Sequence, residues 1–225
     1  MLGIYSFQKF STLDFPGRLC AIVWFSGCNM RCSYCYNKDV VFGKKQIEEE
    51  EFLEFLKKRV GLLDGVTFTG GCPTMYPNLI NFAKKIKEMG FEIKLDTNGI
   101  NFEVIKDLVE KKLIDYIALD FKAPKEKFYE ITKNRHYEKF EKTLEYLINS
   151  DIEFEVRTTV HTDLLNEEDI NKIIDVLIKK DYKGIYYIQN FFETDKETIG
   201  NLPSQKRKLN ISKINKLIPV EFRNF

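Results

Sequence analysis

The sequence alternates short runs rich in β-branched and aromatic residues with longer amphipathic segments. The candidate strands lie at residues 19–25, 66–69, 92–96, 115–121, 152–160 and 184–189. Segments with helical spacing of apolar residues cover 48–59, 79–89, 102–113, 137–149 and 166–179. Strands and helices in strict alternation favour parallel pairing with the helices outside. The sequence therefore predicts an α/β fold, a partial (β/α)6 barrel of parallel strands with outer helices, and a doubly wound sheet is the alternative.

The predicted strands have one apolar and one polar face. In 92–96, Ile93 and Leu95 alternate with charged residues, and 152–160 show the same alternation. Parallel strands that are buried on both faces are usually apolar throughout. We therefore expect the helices to cover the apolar face and to leave a polar interior that suits a polar ligand. A second face open to water is the alternative.

Length and composition limit the class of protein. A chain of 225 residues suits one domain with a full core, or at most two small ones. We expect one domain over 1–190, with a C-terminal tail over 191–225 that packs on or extends it. Thirty-five Lys and Arg against 34 Asp and Glu argue against a nucleic-acid partner. The sequence has neither an apolar run of about 20 residues nor a signal-peptide pattern. We expect a cytoplasmic protein with no membrane partner.

The five cysteines are unevenly placed. Cys28, Cys32 and Cys35 form a CxxxCxxC loop after the first predicted strand, whereas Cys20 and Cys72 stand apart. An odd number in a chain of this length argues against a disulfide framework. A structural zinc site or a ferredoxin-type cluster needs four ligands. Three thiolates instead favour a [4Fe–4S] cluster with one iron left open to a substrate or cofactor, and zinc is the alternative.

The loop resembles that of the radical S-adenosylmethionine enzymes, in which an aromatic residue precedes the last cysteine, as Tyr34 does here. Within that superfamily the chain resembles the glycyl-radical-enzyme activases, and most of all the activating proteins of anaerobic ribonucleotide reductase. The supporting motifs are STLDFPG at 11–17, GCN at 27–29, DTNG at 96–99 and DFK at 120–122. Tyr36 and Asn37 replace the His-Asn pair that often follows the loop in activases.

The resemblance implies a specific reaction. S-adenosylmethionine would chelate the open iron, and one electron from a reduced flavodoxin or ferredoxin would cleave its sulfur–carbon bond. The resulting 5′-deoxyadenosyl radical would take a hydrogen atom from a glycine Cα of a partner, a glycyl radical enzyme. The cofactors supply this chemistry and the protein positions them.

The other candidate residues follow or lie in the predicted strands. They are Gly70 and Gly71 after the second strand, Asp96 and Thr97 after the third, Asp120 and Lys122 after the fourth, and Arg157 in the fifth. The carboxyl ends of parallel strands meet at one edge of a sheet, where α/β active sites are built. Glycine lets the backbone approach a ligand closely because no Cβ intervenes.

By the resemblance, Asp96 and Asp120 would lie beside the methionine moiety, where a monovalent cation could also bind. Lys122 and Arg157 could pair with the methionine carboxylate. Purely structural ion pairs are the alternative for both cations. Cys20 is interpreted as a small core residue. His161 is interpreted as a solvated loop residue, and a group that supports a site residue is the alternative.

Cys72 departs from the family pattern. Activases usually read Gly-Gly-Glu-Pro where this chain reads Gly-Gly-Cys-Pro, and the glutamate helps to hold the amino group of the cofactor. A thiol is a weak acceptor, so a charge-assisted contact is absent. Backbone carbonyls could suffice and leave a weaker site. Alternatively, Cys72 ligates the fourth iron when the cofactor is absent, or the chain is a variant with impaired activity.

Two other functions remain open at this point. A radical enzyme that acts on a small molecule, such as the 7-carboxy-7-deazaguanine synthases, also has a short chain with one cluster. Outside catalysis, Cys72 could complete a four-cysteine zinc or iron–sulfur module for structure or electron transfer. The cofactors expected for the leading interpretation are a [4Fe–4S] cluster, S-adenosylmethionine and a monovalent cation.

Overall fold

The computed structural model describes residues 1–195 and 197–225. Its strands are β1 (Ile4–Ser11), β2 (Cys20–Phe25), β3 (Gly65–Gly70), β4 (Glu92–Thr97), β5 (Tyr116–Asp120), β6 (Glu153–Val160), β7 (Tyr186–Asn190) and β8 (Val220–Arg223). Its α-helices are α1 (Lys38–Phe42), α2 (Glu49–Lys57), α3 (Leu79–Glu88), α4 (Phe102–Glu110), α5 (Lys125–Thr132), α6 (Tyr137–Ile148) and α7 (Glu167–Lys179). In the described residues, no helix is both long and apolar enough to cross a membrane.

All six predicted strands are present as β2 to β7, and the five predicted helices are α2, α3, α4, α6 and α7. Periodicity identified these elements because each has a continuous apolar face. It did not identify the edge strands β1 and β8 or the short helices α1 and α5. These four have weaker patterns, and β1 and β8 are held by pairing with a neighbouring strand.

The strands lie in one sheet in the order of the chain, from β1 to β8. The first strand is antiparallel to β2, and the pairs β2–β3, β3–β4, β6–β7 and β7–β8 are parallel. A doubly wound sheet reverses its strand order at a switch point. The sequential order therefore excludes that alternative and confirms the predicted α/β class.

The chain forms two units. The first contains Met1–Asn29, Asn37–Thr97 and Asn101–Ala118, and the second contains Met30–Tyr36, Asn98–Ile100 and Leu119–Phe225. The division of the sequence into a domain over 1–190 and a tail over 191–225 stays a prediction. In the second unit this tail adds β8 to the sheet, parallel to β7.

The outer face of the first unit is held by aromatic side chains. Phe25 of β2 and Phe68 of β3 lie 5.4 Å apart between ring centroids, and Phe82 of α3 lies 5.7 Å from Phe68. Phe52 of α2 completes the group at 5.9 Å from Phe82. All four are fully buried, and each contributes about 2 kcal/mol of hydrophobic stabilisation. The apolar stripes of α2 and α3 therefore cover the apolar face of the strands, as predicted.

The inner face of the first unit begins with an apolar layer and continues with polar residues. Phe15, from the turn between β1 and β2, packs with Cys20, Ile22 and Tyr116, which confirms Cys20 as a core residue. Farther along the strands, Thr67 and Lys94 are buried. The polar face of these strands is therefore enclosed and not open to water.

The second unit has a similar construction. Phe121, which follows β5, packs against Phe140 of α6 at 4.5 Å between ring centroids. The first turn of α7 has a capping box, in which Asn166 accepts from the Asp169 amide and the Asp169 carboxylate accepts from the Asn166 amide. The buried Glu155 of β6 pairs with Arg223 of β8 at 3.1 Å. This pairing also gives β8 a charged anchor on the sheet.

Candidate active site

In the first unit, the segments that follow three parallel strands carry the predicted residues. Cys28 follows β2, Gly71 and Cys72 follow Gly70 at the end of β3, and Asp96 and Thr97 end β4. Cys28 is partly exposed and is not in a disulfide.

The two glycines after β3 are required by the chain's own backbone. A Cβ on Gly70 would lie 2.5 Å from the Phe25 nitrogen, and one on Gly71 would lie 2.0 Å from the Gly27 carbonyl oxygen. The amide of Gly71 donates to Phe25 O at 2.9 Å, and the amide of Cys72 donates to Gly27 O at 2.8 Å. These contacts fix the backbone that leads into Cys28. The sequence predicts that these glycines let the backbone approach a ligand. In the structure they let it approach the segment before Cys28.

Cys72 is buried, with 1% of its surface exposed. Its sulfur lies 3.1 Å from the Thr74 hydroxyl and 3.9 Å from the Thr97 hydroxyl. The Asn101 side chain donates to the Thr74 carbonyl at 3.0 Å and so holds the same loop. Two hydroxyl groups thus face the position at which the family pattern has a carboxylate.

Asp96 is engaged through both carboxylate oxygens. The Lys94 ammonium lies 2.5 Å from Oδ1, and the Thr69 hydroxyl donates to Oδ2 at 3.1 Å. The side chains of Lys94 and Asp96 are 5% and 15% exposed. Lys94 was not among the predicted site residues, although its position two residues before Asp96 on one strand places both on the same face.

In the second unit, the end of α5 holds the cysteine loop. The amide of Arg31 donates to Thr132 O at 2.8 Å, and that of Ser33 donates to Ile131 O at 3.0 Å. Cys32 is buried in this loop and Cys35 is partly exposed, and neither is in a disulfide. Burial raises the pKa of the Cys32 thiol to about 11, so this thiol is protonated until a metal replaces the proton.

The C-terminal tail also holds the cysteine loop. The amide of Ile199 donates to Cys35 O at 2.9 Å, and the amide of Gly200 donates to Ser33 O at 2.8 Å. These residues could not be predicted from the sequence, because contacts made by backbone amides leave no side-chain motif. Gly200 is the one residue of this pair whose type hints at the contact. A side chain would not fit there, since a Cβ would lie 2.7 Å from Ser33 Cβ.

Asp120 is paired with both predicted cations. Arg157 Nε lies 2.5 Å from its Oδ1 and Lys122 Nζ lies 3.0 Å from its Oδ2. Burial opposes the charge on Lys122, but the Asp120 carboxylate raises the pKa of this lysine well above its usual range. This group of one carboxylate and two cations has a net positive charge, which favours an anionic ligand.

Tyr34 has a buried side chain, and the Lys122 ammonium lies 5.8 Å from the centre of its ring. Within the part of the chain that the structure describes, its hydroxyl has no hydrogen-bond partner. Burial raises the pKa of this phenol well above its usual range, so it stays neutral. A buried polar atom without a partner indicates a place for a bound group.

The residues present fit an iron–sulfur cluster and its cofactor in their chemistry. The loop offers three cysteines that are not in disulfides, and cysteine sulfur is the ligand that such clusters use. The same loop contains the buried Tyr34 hydroxyl, which has no partner among the described residues. Across residues 1–195 and 197–225, no three His, Cys, Asp or Glu side chains are already grouped to hold a metal ion. The ligands of a metal site often come together only when the metal binds.

One histidine prediction was wrong. His161 was expected to be a solvated loop residue, but its side chain is buried. Its Nε2 lies 3.0 Å from Pro203 O, and its ring packs at 5.1 Å from the Phe191 ring. The residues that bury it come from the tail, which follows too far along the chain for a local pattern to show.

Residues 22–177 match the radical SAM superfamily. The chain belongs to this superfamily. A protein of Methanocaldococcus jannaschii that carries the name glycyl-radical enzyme activating enzyme is 35% identical over 208 residues, which cover 87% of this chain and 83% of the relative. The pyruvate formate-lyase-activating enzyme of Clostridium pasteurianum is 29% identical, over 77% of this chain and 75% of the relative.

Solved structures agree on the fold. The crystal structure of Streptococcus suis SuiB bound to S-adenosylmethionine superposes with a TM-score of 0.62 and 16% identity, over 79% of this chain and 41% of that protein. Radical SAM structures of this kind have a partial barrel, so the predicted fold is confirmed. Membership of the superfamily implies a [4Fe–4S] cluster and S-adenosylmethionine as cofactors of this radical SAM enzyme.

Substitution of Gly71 by alanine tests the contact that positions Cys28. Because the new Cβ would meet the Gly27 carbonyl oxygen at 2.0 Å, the backbone must shift. We expect Gly71→Ala to lower the free energy of unfolding by about 2 kcal/mol and to reduce the iron bound after anaerobic reconstitution. Urea unfolding and iron analysis measure the two effects.

The matched control is Gly61→Ala. Gly61 has a φ of 76° but no heavy atom within 4 Å of an added Cβ, so only conformational strain of about 1 kcal/mol applies. Its iron content should equal that of the wild type. If both variants bind iron equally well, the contact between Gly71 and Gly27 does not position the loop.

Substitution of Gly200 tests the contact between the tail and the cysteine loop. In Gly200→Ala the Cβ would press on Ser33 and lengthen the hydrogen bond to its carbonyl. We expect iron to leave the reconstituted protein about tenfold faster in the presence of a chelator, since supporting contacts tune metal retention on this scale. Iron loss at the wild-type rate, with the Gly61→Ala protein as control, would contradict a supporting role for the tail.

Proposed function

We propose that this protein is an activase that installs a glycyl radical on a partner enzyme. The observation that carries the proposal is the similarity to named activating enzymes along most of the chain, 87% for the first relative. The CxxxCxxC loop supports the same proposal, because a cluster held by three thiolates leaves one iron for the cofactor.

Cys28, Cys32 and Cys35 are the proposed cluster ligands. When bound and reduced, the cluster supplies the electron that cleaves S-adenosylmethionine. The contribution of the protein is to hold the loop, through Gly70 and Gly71 in the first unit and through α5 and the tail in the second. A rigid loop is needed because ligand orientation sets both the metal affinity and the reactivity of the centre.

The proposed cofactor-binding residues are Tyr34, Gly70, Gly71, Cys72, Asp96, Thr97, Asp120, Lys122 and Arg157. In the second unit, Lys122 and Arg157 exceed Asp120 by one positive charge, which suits the methionine carboxylate. Arginine and lysine that are already ordered by a carboxylate lose little entropy when they bind an anion. The unpartnered Tyr34 hydroxyl is a donor available to the same cofactor.

The finer assignment is also a proposal. The motif at 11–17 favours anaerobic ribonucleotide reductase as the partner, whereas several relatives, including the Clostridium pasteurianum enzyme, are named for pyruvate formate-lyase. A reduced flavodoxin or ferredoxin is the proposed electron donor and the cytoplasm the proposed location. The names of these relatives favour an activase over an enzyme that acts on a small molecule. The four-cysteine module is disfavoured, since the Cys72 sulfur is held by two hydroxyl groups.

The activity test combines the reconstituted protein, S-adenosylmethionine, a reductant and a candidate partner under anaerobic conditions. We expect an electron-resonance signal from a glycyl radical on the partner and its absence with the Cys35→Ala variant. The control partner has alanine in place of the target glycine. If the wild-type protein cleaves S-adenosylmethionine but gives no radical on either the reductase or the lyase, the activase proposal fails.

Cys72 gives a second prediction. A carboxylate at this position could accept from Thr74 and Thr97 and also contact the amino group of the cofactor. A hydrogen bond to a charged group contributes about 1.5 kcal/mol or more, so we expect Cys72→Glu to bind S-adenosylmethionine about tenfold more tightly. Equilibrium dialysis with the reconstituted proteins measures this difference.

The matched control is Cys72→Ser, which keeps the size of the side chain and adds no charge. We expect its affinity to stay near that of the wild type. Unchanged or weaker binding by a folded Cys72→Glu protein would show that no charge-assisted contact is missing at this position.

A further inference from the structure

We infer that Asp96 does not bind a monovalent cation in this protein, because the Lys94 ammonium already occupies its carboxylate. The inference rests on the proposed function, since Asp96 is one of the proposed cofactor-binding residues. It differs from the expectation implied by the family resemblance, in which a monovalent cation could bind near Asp96 and Asp120. Its consequence is that cofactor binding needs neither potassium nor sodium ions.

The geometry of Asp96 carries the inference. Lys94 Nζ lies 2.5 Å from Oδ1, and the Thr69 hydroxyl lies 3.1 Å from Oδ2. Both oxygens thus have a protein donor, and the donor on Oδ1 carries a full positive charge. An ammonium group is a compact point charge with several donors, so it meets the same requirement as a potassium ion at this carboxylate.

Lys94 cannot easily leave this position. It lies within β4, between the buried Ile93 and Leu95, and its own side chain is 5% exposed. Rotation away from Asp96 would leave a buried ammonium without its counter-charge, which is strongly unfavourable. A metal cation next to Asp96 would also face repulsion from this ammonium at short range. Lysine and a bound cation are therefore mutually exclusive here.

Asp120, the other carboxylate expected to face a cation, is neutralised within its own unit. Arg157 Nε and Lys122 Nζ lie 2.5 and 3.0 Å from its two oxygens. Each candidate carboxylate therefore has at least one protein cation of its own, and neither retains the uncompensated charge that would attract a metal ion.

The first experiment measures the affinity of the wild-type reconstituted protein for S-adenosylmethionine in potassium, sodium or tetramethylammonium chloride at equal ionic strength. Tetramethylammonium is too large to enter a metal site, so it serves as the inert cation. We expect the three dissociation constants to agree within about twofold, since salts of equal ionic strength screen charge–charge interactions equally. An affinity about tenfold higher in potassium or sodium would overturn the inference.

The Lys94→Met variant gives the complementary result, because methionine retains an apolar stem without the charge. In tetramethylammonium chloride, we expect this variant to bind S-adenosylmethionine about tenfold more weakly than the wild type does. In potassium chloride its affinity should return to the wild-type value, because potassium can take the place of the missing lysine ammonium. The control is Lys87→Met, which removes another lysine–aspartate pair of the same unit, at 2.7 Å from Asp115, and should create no potassium dependence. A folded Lys94→Met protein that binds equally well in both salts would contradict the inference.

A measurement without S-adenosylmethionine separates this inference from the proposed function. Thallium(I) mimics potassium, and its nuclear resonance broadens when it binds to a protein. We expect no broadening with the wild-type protein beyond that of its Asp96→Asn variant. Broadening that the Asp96→Asn change removes would overturn the inference, whereas a failure to bind S-adenosylmethionine in every salt would overturn the proposed function instead.

Discussion

In the part of the chain that the structure describes, the buried charges on the strands are stable because each is paired with a residue on the same strand or on a neighbouring one. A charged group that is removed from water costs several kcal/mol unless it is paired and hydrogen-bonded. Lys94 and Asp96 satisfy this condition along β4, as do Asp120 and Arg157 between the end of β5 and β6. Within each unit, the polar face of the strands depends on such a pair to keep its charged groups away from water.

The sequence predicted the central strands and the cysteine loop because both have local signals. Alternation in β4 and β6 is visible within a few residues. Three cysteines within eight positions are enough to predict a metal cluster. The supports of the loop could not be predicted in the same way. Ile199 and Gly200 act through backbone amides and lie more than 160 residues after the loop, so their role follows only from the fold.

In the candidate site, the sequence predicted several of the residues but not the contacts that explain why they are needed. Gly70 and Gly71 were predicted as positions where the backbone approaches a ligand, and that role stays a prediction. The structure shows that both positions need glycine because the backbone of Phe25 and Gly27 lies close by. Lys94 was missed because a lysine in an alternating strand is expected to be exposed. The burial of Lys94 depends on its pairing with Asp96. Two residues on one strand face indicate a buried ion pair only when that face is known to be enclosed, and the sequence does not show this.

The central claim is that this radical SAM enzyme removes a hydrogen atom from a glycine of a partner protein. The most direct measurement uses a partner whose glycines are deuterated at Cα, followed by mass analysis of the 5′-deoxyadenosine formed. The account predicts 5′-deoxyadenosine that carries deuterium, and none when the target glycine is replaced by alanine. Unlabelled 5′-deoxyadenosine in equal amounts from both partners would contradict it.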